Sequence, residues 1–190
     1  MSAPVGQASR PAEPIKKIRL ATVWLDGCSG CHMSLLDTDE RLIELAKRVT
    51  VVWGPLVDRK EFPAEVDVTL VEGAISSEED LHRIKMVRAR TKLLVSLGDC
   101  AVTGNVTAMR NIFKLEDVLD RAYRQTATVV VGIPLGNGVV PRLLERVRPV
   151  HEVVKVDHFI PGCPPSADVI HEFVVSLLEG RTPVLDGRFG

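Results

Sequence analysis

The sequence predicts an α/β fold, a doubly wound parallel sheet of about five strands in the order 2-1-3-4-5. Three observations carry this expectation. Short apolar runs alternate with stretches of helical periodicity along most of the chain. The runs are apolar almost throughout, as suits strands covered by helices on both faces. Parallel strands joined by helical crossovers wind with one hand, which leaves few topologies open.

The elements follow in order. "KIRLATVWL" (17–25) reads as strand 1. A helix over roughly 32–48 follows, with Leu35, Leu36, Leu42, Ile43 and Ala46 on one face. "RVTVVWG" (48–54) is strand 2, and "VDVTLVEGA" (66–74) is strand 3. "SSEEDLHRIKMVRAR" (76–90) opens on serines and acids and ends in bases, which suits an N-cap and the helix dipole. "KLLVSLGDC" (92–100) is strand 4, and a helical stretch over 102–124 follows, with a break near Phe113. Residues 127–149 read as a loop with one short helix around "PRLLERV". "HEVVKVD" (151–157) is strand 5, and a helix over about 165–179 ends at Gly180.

Five parallel strands in this arrangement are the flavodoxin-like order. The expected organisation is a disordered leader (1–14), one flavodoxin-like domain (15–180) and a tail (181–190). Composition narrows the partners. There are 24 basic and 25 acidic residues, a net charge of −1, so neither nucleic acid nor an anionic membrane is expected. No stretch is apolar for the roughly 18 residues a membrane helix needs. The N-terminus "MSAPVGQASRPAEP" has no apolar segment of a secretory signal and no twin-arginine pair. The expected compartment is the cytoplasm, where structural disulfides are rare.

The four cysteines therefore call for another use. In a doubly wound sheet, function gathers at the carboxyl ends of the strands. Cys28 and Cys31 follow strand 1 in "LDGCSGCH", Cys100 follows strand 4 in "LGDC", and Cys163 follows strand 5 in "IPGCPP". All four thus fall on one edge of the sheet. Glycines beside them allow close backbone approach, and prolines stiffen the Cys163 loop. Four thiolates on separate loops can enclose Zn²⁺ or an iron–sulfur cluster. Structural zinc uses two short Cys/His pairs, whereas one pair and two singletons favour a larger inorganic body. A thioredoxin-like thiol pair would explain Cys28 and Cys31 but leave Cys100 and Cys163 idle. Unconnected buried cysteines are the remaining reading.

Together "WLDGCSGCHMSLLD", "VEGAI", "GDC" and "PGCPP" resemble the small, electron-transferring subunit of [NiFe] hydrogenases, most closely the soluble, bidirectional NAD-reducing type. The resemblance runs from about residue 17 to 178 and is weakest over 102–149. It implies one [4Fe–4S] cluster on Cys28, Cys31, Cys100 and Cys163, next to the Ni–Fe centre of a hydrogenase large subunit. It also implies diaphorase partners that carry further iron–sulfur clusters, FMN and NAD. No catalytic residue is expected in this chain itself.

Two departures matter. Periplasmic and membrane-bound members carry a further C-terminal domain with more Cys and His ligands; no cysteine follows Cys163, so one cluster is the expected limit. Their acid shortly after the second cysteine is replaced by His32-Met33-Ser34, so a proton-route role for that acid does not transfer. A related respiratory complex I subunit uses adjacent cysteines instead of Cys28-x-x-Cys31, which points away from quinone chemistry.

Other residues take plainer readings. Trp24 and Trp53 are expected to anchor a core or an interface. Glu72, at the end of strand 3, is either near the site or a surface carboxylate. His158 is expected to be an ordinary hydrogen-bonded histidine, and His32, His82, His151 and His171 show no ligand spacing. FMN is the alternative ligand for this scaffold, but "DGCSGC" lacks the hydroxyl-rich phosphate loop expected after strand 1.

Overall fold

A computed structural model of the chain describes residues 17–129, 132–134 and 138–185. The expected leader (1–14) lies outside the described residues, as do 186–190 of the expected tail. In chain order the elements are β1 (Ile18–Trp24), α1 (Gly30–Leu36), α2 (Arg41–Arg48), β2 (Val49–Trp53), β3 (Val66–Glu72), β4 (Ile75–Ser77) and α3 (Glu78–Ala89). They continue with β5 (Thr91–Leu97), α4 (Asp99–Thr103), α5 (Asn105–Ala108), α6 (Leu115–Tyr123), β6 (Leu143–Arg148), β7 (His158–Ile160) and α7 (Ala167–Leu178). Two 3₁₀ turns, Met109–Ile112 and Val150–Glu152, join them.

The main sheet has the order β2-β1-β3-β5-β7, all parallel. Counting only its five strands, this is 2-1-3-4-5, the flavodoxin-like arrangement. The register is what positions the site. Trp24 pairs with Glu72, Glu72 with Leu97, and Leu97 with Ile160. Four strands therefore end flush; Cys28 and Cys163 lie in the loops just past two of these ends, Cys100 lies in the first turn of α4 just past a third, and Cys31 lies in the first turn of α1.

Both faces of the sheet are covered, which explains the continuous apolar strands. On one face Leu20, Val68, Leu70, Val95, Leu97 and Ile160 pack with Ile170, Phe173 and Val174 of α7. On the other, Ala21, Val23, Val66, Val71 and Leu94 pack with Ile84 and Val87 of α3. The expected start of α3 is present: Ser77 Oγ accepts the Asp80 N–H (3.1 Å) and Asp80 Oδ2 accepts the Ser77 N–H (3.0 Å), a capping box. Among the described residues no helix is long and apolar enough to cross a membrane.

Four expectations need correction. The fifth strand is not 151–157 but His158–Ile160. Val153, Val154 and Val156 fill the second core instead of joining the sheet. Asp157 starts the ladder: its N–H donates to Leu94 O (2.9 Å) and its Oδ2 accepts the Leu94 N–H (2.9 Å) and Arg88 Nη1 (2.6 Å). Burial pushes the Asp157 carboxyl up, but the Leu94 N–H and the Arg88 guanidinium outweigh it and hold the group below its ordinary value.

The helix expected around "PRLLERV" is strand β6, antiparallel to β4. Most of its side chains are exposed, so it shows no apolar pattern. It is held by side chains distant in sequence: Arg110 Nη2 donates to Leu144 O (2.8 Å), and Asn111 exchanges bonds with Val147 N–H (2.8 Å) and O (2.9 Å). The helix expected over 32–48 is two helices, α1 and α2. Asp39 has a positive φ of 49°, and Thr38 Oγ1 turns back to Leu35 O (2.7 Å), which breaks the run. The stretch over 102–124 is likewise divided into the end of α4, α5, a 3₁₀ turn and α6, with the break at Phe113 where the sequence placed it.

Candidate functional site

The loops after β1, β5 and β7 meet at the flush strand ends, and their own hydrogen bonds tie them together. The β1 loop is fixed to the end of β3 by a two-residue bridge, Asp26 N–H to Ala74 O (3.1 Å) and Ala74 N–H to Asp26 O (2.8 Å). The β5 loop is fixed to the β7 loop: Asp99 N–H donates to Gly162 O (2.9 Å), and Gly162 N–H donates to Asp99 Oδ1 (2.7 Å). Helix α1 is fixed to the start of α7 by Ser34 Oγ on Pro165 O (2.5 Å). The Cys163–Pro164 peptide is cis.

These ties bring the four thiols together, all of them free. Cys31 is buried in the core beneath α7, Cys100 is half-buried, and Cys28 and Cys163 face outward. Gly98 closes the inner side; a Cβ there would collide with Cys31 Sγ, so glycine is required at this contact. Three donors point at the sulfurs. Gly30 N–H reaches Cys28 Sγ (3.4 Å), Asn105 Nδ2 reaches Cys163 Sγ (3.3 Å), and the Val106 N–H bonds Cys100. The sequence placed the cysteines but missed Asn105. Its signal was the Gly104-Asn105 pair shortly after Cys100, a turn dipeptide whose members both take positive φ (87° and 31°).

Glu72 and His32 form the floor of the β1 loop. Glu72 is only 2% exposed, which removes the surface-carboxylate reading. Its Oε2 accepts the His32 N–H (3.0 Å) and also the His32 ring Nδ1–H. The other ring nitrogen, Nε2, is buried without a hydrogen-bond partner among the described residues. His32, which the spacing of the histidines gave no reason to single out, thus lies inside the site. His158 lies outside it, with its ring against Phe173 (5.6 Å between centroids). Trp53 packs edge-on to Phe62, while Trp24 is 44% exposed with its Nε1–H on Gly27 O (3.2 Å).

The electrostatics reflect the crowding. Burial first, then Glu72 and the other three thiols, pushes the Cys31 thiol up to about 12 from 9.0. Burial raises Cys100 as well, with Cys163, Cys28 and Glu72 adding to it against the Val106 N–H. The group with a raised value favours its neutral form in the fold. The Cys31 contribution to stability is therefore complete below pH 9 and is lost as pH rises towards 12. The same features set an order of reactivity. In the metal-free chain at pH 8, a maleimide should label Cys28 and Cys163 first and Cys31 last, read by tandem mass spectrometry. Labelling of Cys31 as early as Cys28 would contradict the burial described.

Among the described residues no group of three or more His, Cys, Asp or Glu side chains is disposed to hold a metal ion. A four-iron cluster asks for a wider set of four thiolates. The donor set fits such a group: four thiols on three loops, a glycine cradle, and N–H donors aimed at three of the sulfurs.

Residues 28–177 match the family of the NADH ubiquinone oxidoreductase 20 kDa subunit. The chain is 45% identical to the delta subunit of the NAD-reducing hydrogenase HoxS of Cupriavidus necator, over 87% of this chain and 80% of that one. It is 39% identical to a subunit of the vhu F420-non-reducing hydrogenase of Methanococcus voltae, over 89% of this chain and 59% of the relative. The fold superposes on a chain of an NAD+-reducing [NiFe]-hydrogenase crystallised in the H2-reduced state, with a TM-score of 0.86, 41% identity, and 89% and 95% of the two chains covered. A [NiFeSe]-hydrogenase chain from Dm. baculatum, at 20% identity and a TM-score of 0.53, shares the fold. The chain therefore belongs to the 20 kDa subunit family of NADH ubiquinone oxidoreductase and, within it, to the [NiFe]-hydrogenase small subunits of the kind found in NAD-reducing hydrogenases.

Proposed function

We propose that the chain is the electron-transfer subunit of a cytoplasmic [NiFe] hydrogenase. It would bind one [4Fe–4S] cluster through Cys28, Cys31, Cys100 and Cys163. Its electrons would pass between a large partner subunit, which splits H2 at a Ni–Fe centre, and a diaphorase module of iron–sulfur and flavin subunits that reduces NAD+. The observation that carries this reading is the convergence of four free thiols, three of them with N–H donors, at the flush ends of β1, β5 and β7.

The cluster, when bound, supplies reversible one-electron storage. The chain supplies everything around it. Cys31 holds the buried side, where the core excludes water. Cys28 and Cys163 hold the outward side, where electrons can pass to a partner. The donors on Cys28, Cys100 and Cys163 stabilise negative charge on the sulfurs, and the Asp99–Gly162 lock keeps Cys100 and Cys163 at a fixed separation. Beside the site, Val106, Met109, Ile112 and Phe113 leave a run of apolar side chains exposed, and Met33 and Leu36 of α1 do the same. Such a rim is what a subunit interface covers.

A second reading keeps the subunit and changes the acceptor. It is favoured by relatives named as F420-non-reducing hydrogenase subunits at 37% and 39% identity. Ferredoxin would then stand where NAD+ does; a deazaflavin acceptor draws its support instead from the gamma subunit of a coenzyme F420 hydrogenase of Methanococcus voltae, at 26% identity. One experiment tests the relay role. In the assembled complex, with the Ni–Fe centre shown to be intact, Asp99→Asn removes a charge beside Cys100 yet keeps an acceptor for Gly162. NAD+ reduction should fall while H2/D2O isotope exchange, which needs no sustained electron export, changes less. Equal loss of both would mean that this subunit acts in the chemistry at the metal.

A further inference from the structure

We propose that His32 and Glu72 form a latch that sets the Cys28–Cys31 loop in its binding geometry, with both acting as positioning residues. The proposal rests on the cluster reading for its consequence, but the latch itself is a feature of the folded chain. It starts from an unusual arrangement. A carboxylate 2% exposed, at the end of the central strand β3, has no Lys or Arg partner among the described residues. A buried charge in that position is costly unless hydrogen bonds satisfy it. Its donors come from one residue, His32, through the backbone N–H (3.0 Å) and the ring Nδ1–H.

The consequence is geometric. His32 directly follows Cys31, so two bonds from one residue fix both the backbone and the ring beside a ligating thiol. Glu72 also lies against the other half of the loop: a Cβ on Gly27 would come within 3.6 Å of Glu72 Oε1 and 3.2 Å of Gly73 Cα. The carboxylate thus braces the loop on both sides of Cys28 and Cys31. In a flavodoxin-like sheet this is the crevice between strands 1 and 3, the place a ligand anion would take. Here the chain's own carboxylate accepts the N–H that such an anion would need. The latch adds to the bonds local to the loop, Ser29 Oγ on Cys28 O (2.6 Å), Met33 N–H on Ser29 O (3.0 Å) and Gly30 N–H on Cys28 Sγ (3.4 Å), in holding Ser29 at a positive φ of 65°.

The test separates the latch from the ring's other nitrogen. His32→Asn places an amide donor where Nδ1 stands and removes Nε2. His32→Leu keeps bulk and removes the donor, and Glu72→Gln keeps an acceptor for the His32 N–H. Two readouts are made on the full chain. One is hydrogen–deuterium exchange of the segment around residues 28–36 in the metal-free form. The other is the rate of iron loss to a chelator after loading with iron and sulfide. His32→Leu and Glu72→Ala should exchange faster in that segment and lose iron faster, by up to about the 10–100-fold that removing a direct partner of a metal ligand costs. The double variant should be no worse than either single one. His32→Asn and Glu72→Gln should recover most of the effect. Unchanged exchange and iron loss in His32→Leu would overturn the latch. So would His32→Asn behaving as badly as His32→Leu, because Nε2 would then be the important atom. If the wild-type chain takes up no iron and sulfide, the cluster reading fails, while the exchange experiment still decides the latch.

Discussion

Replacing any one of Cys28, Cys31, Cys100 or Cys163 by serine should reduce the iron held by the chain from about four to three or fewer and abolish most NAD+ reduction. The effect should be the largest of any single substitution. Loss of a hydrogen-bond partner of a metal ligand already costs about 10–100-fold in affinity or activity, and loss of the ligand itself exceeds that. The structure adds an ordering. Cys31 is enclosed by the core beneath α7, so a serine there leaves a buried hydroxyl without the sulfur's size. Cys28 faces outward, where water or a buffer thiol can reach the open position. Cys28→Ser should therefore retain a converted cluster more often than Cys31→Ser. Iron and acid-labile sulfide assays, with low-temperature electron paramagnetic resonance, measure both. A Cys100→Ser or Cys163→Ser variant with four irons per chain and normal electron transfer would remove the four-thiolate assignment.

The second large effect is expected at Gly98. This residue takes φ 80° and ψ 161° between β5 and α4, and an added Cβ would collide with Cys31 Sγ and approach Gly162 O to 3.4 Å. Both the backbone conformation and the contact resist a side chain. Backbone strain of about 1–3 kcal/mol, for a conformation that essentially only glycine adopts, and overpacking of about 1–3 kcal/mol act together. Gly98→Ala should thus destabilise the metal-free chain by roughly 2–6 kcal/mol in urea unfolding and displace Cys31 from its place. Gly180→Ala is the control, with a positive φ of 69° and nothing within 4 Å of the added carbon. It should carry the strain alone and bind iron as the wild type does. Equal iron binding by Gly98→Ala would show that Cys31 has room to move and that the cradle is not a constraint.

What the sequence revealed follows from where its information is local. Strands 1, 3 and 4 are apolar and buried on both faces, so pattern alone located them, and the flush edge put four cysteines in one place. Strand β6 carries Glu145, Arg146 and Arg148 in the open and is held by Arg110 and Asn111 from another segment. No local pattern encodes such pairing. The apolar run at 153–156 misled for the opposite reason: it has the composition of a strand, but its valines fill the core beside the sheet. The gathering of the thiols at one sheet edge was legible from their positions after strands 1, 4 and 5. The His32–Glu72 contact was not, because the two residues are 40 positions apart and meet only through the parallel pairing of β1 with β3.

The central claim is that this chain carries one four-iron cluster on four thiolates. Anaerobic loading of the full chain, followed by assay of iron, acid-labile sulfide, zinc and flavin, tests it most directly. The account predicts about four irons and four sulfides per chain, with a broad visible absorption that disappears when all four cysteines are replaced by serine. One zinc without visible colour, or a flavin spectrum without iron, would contradict it.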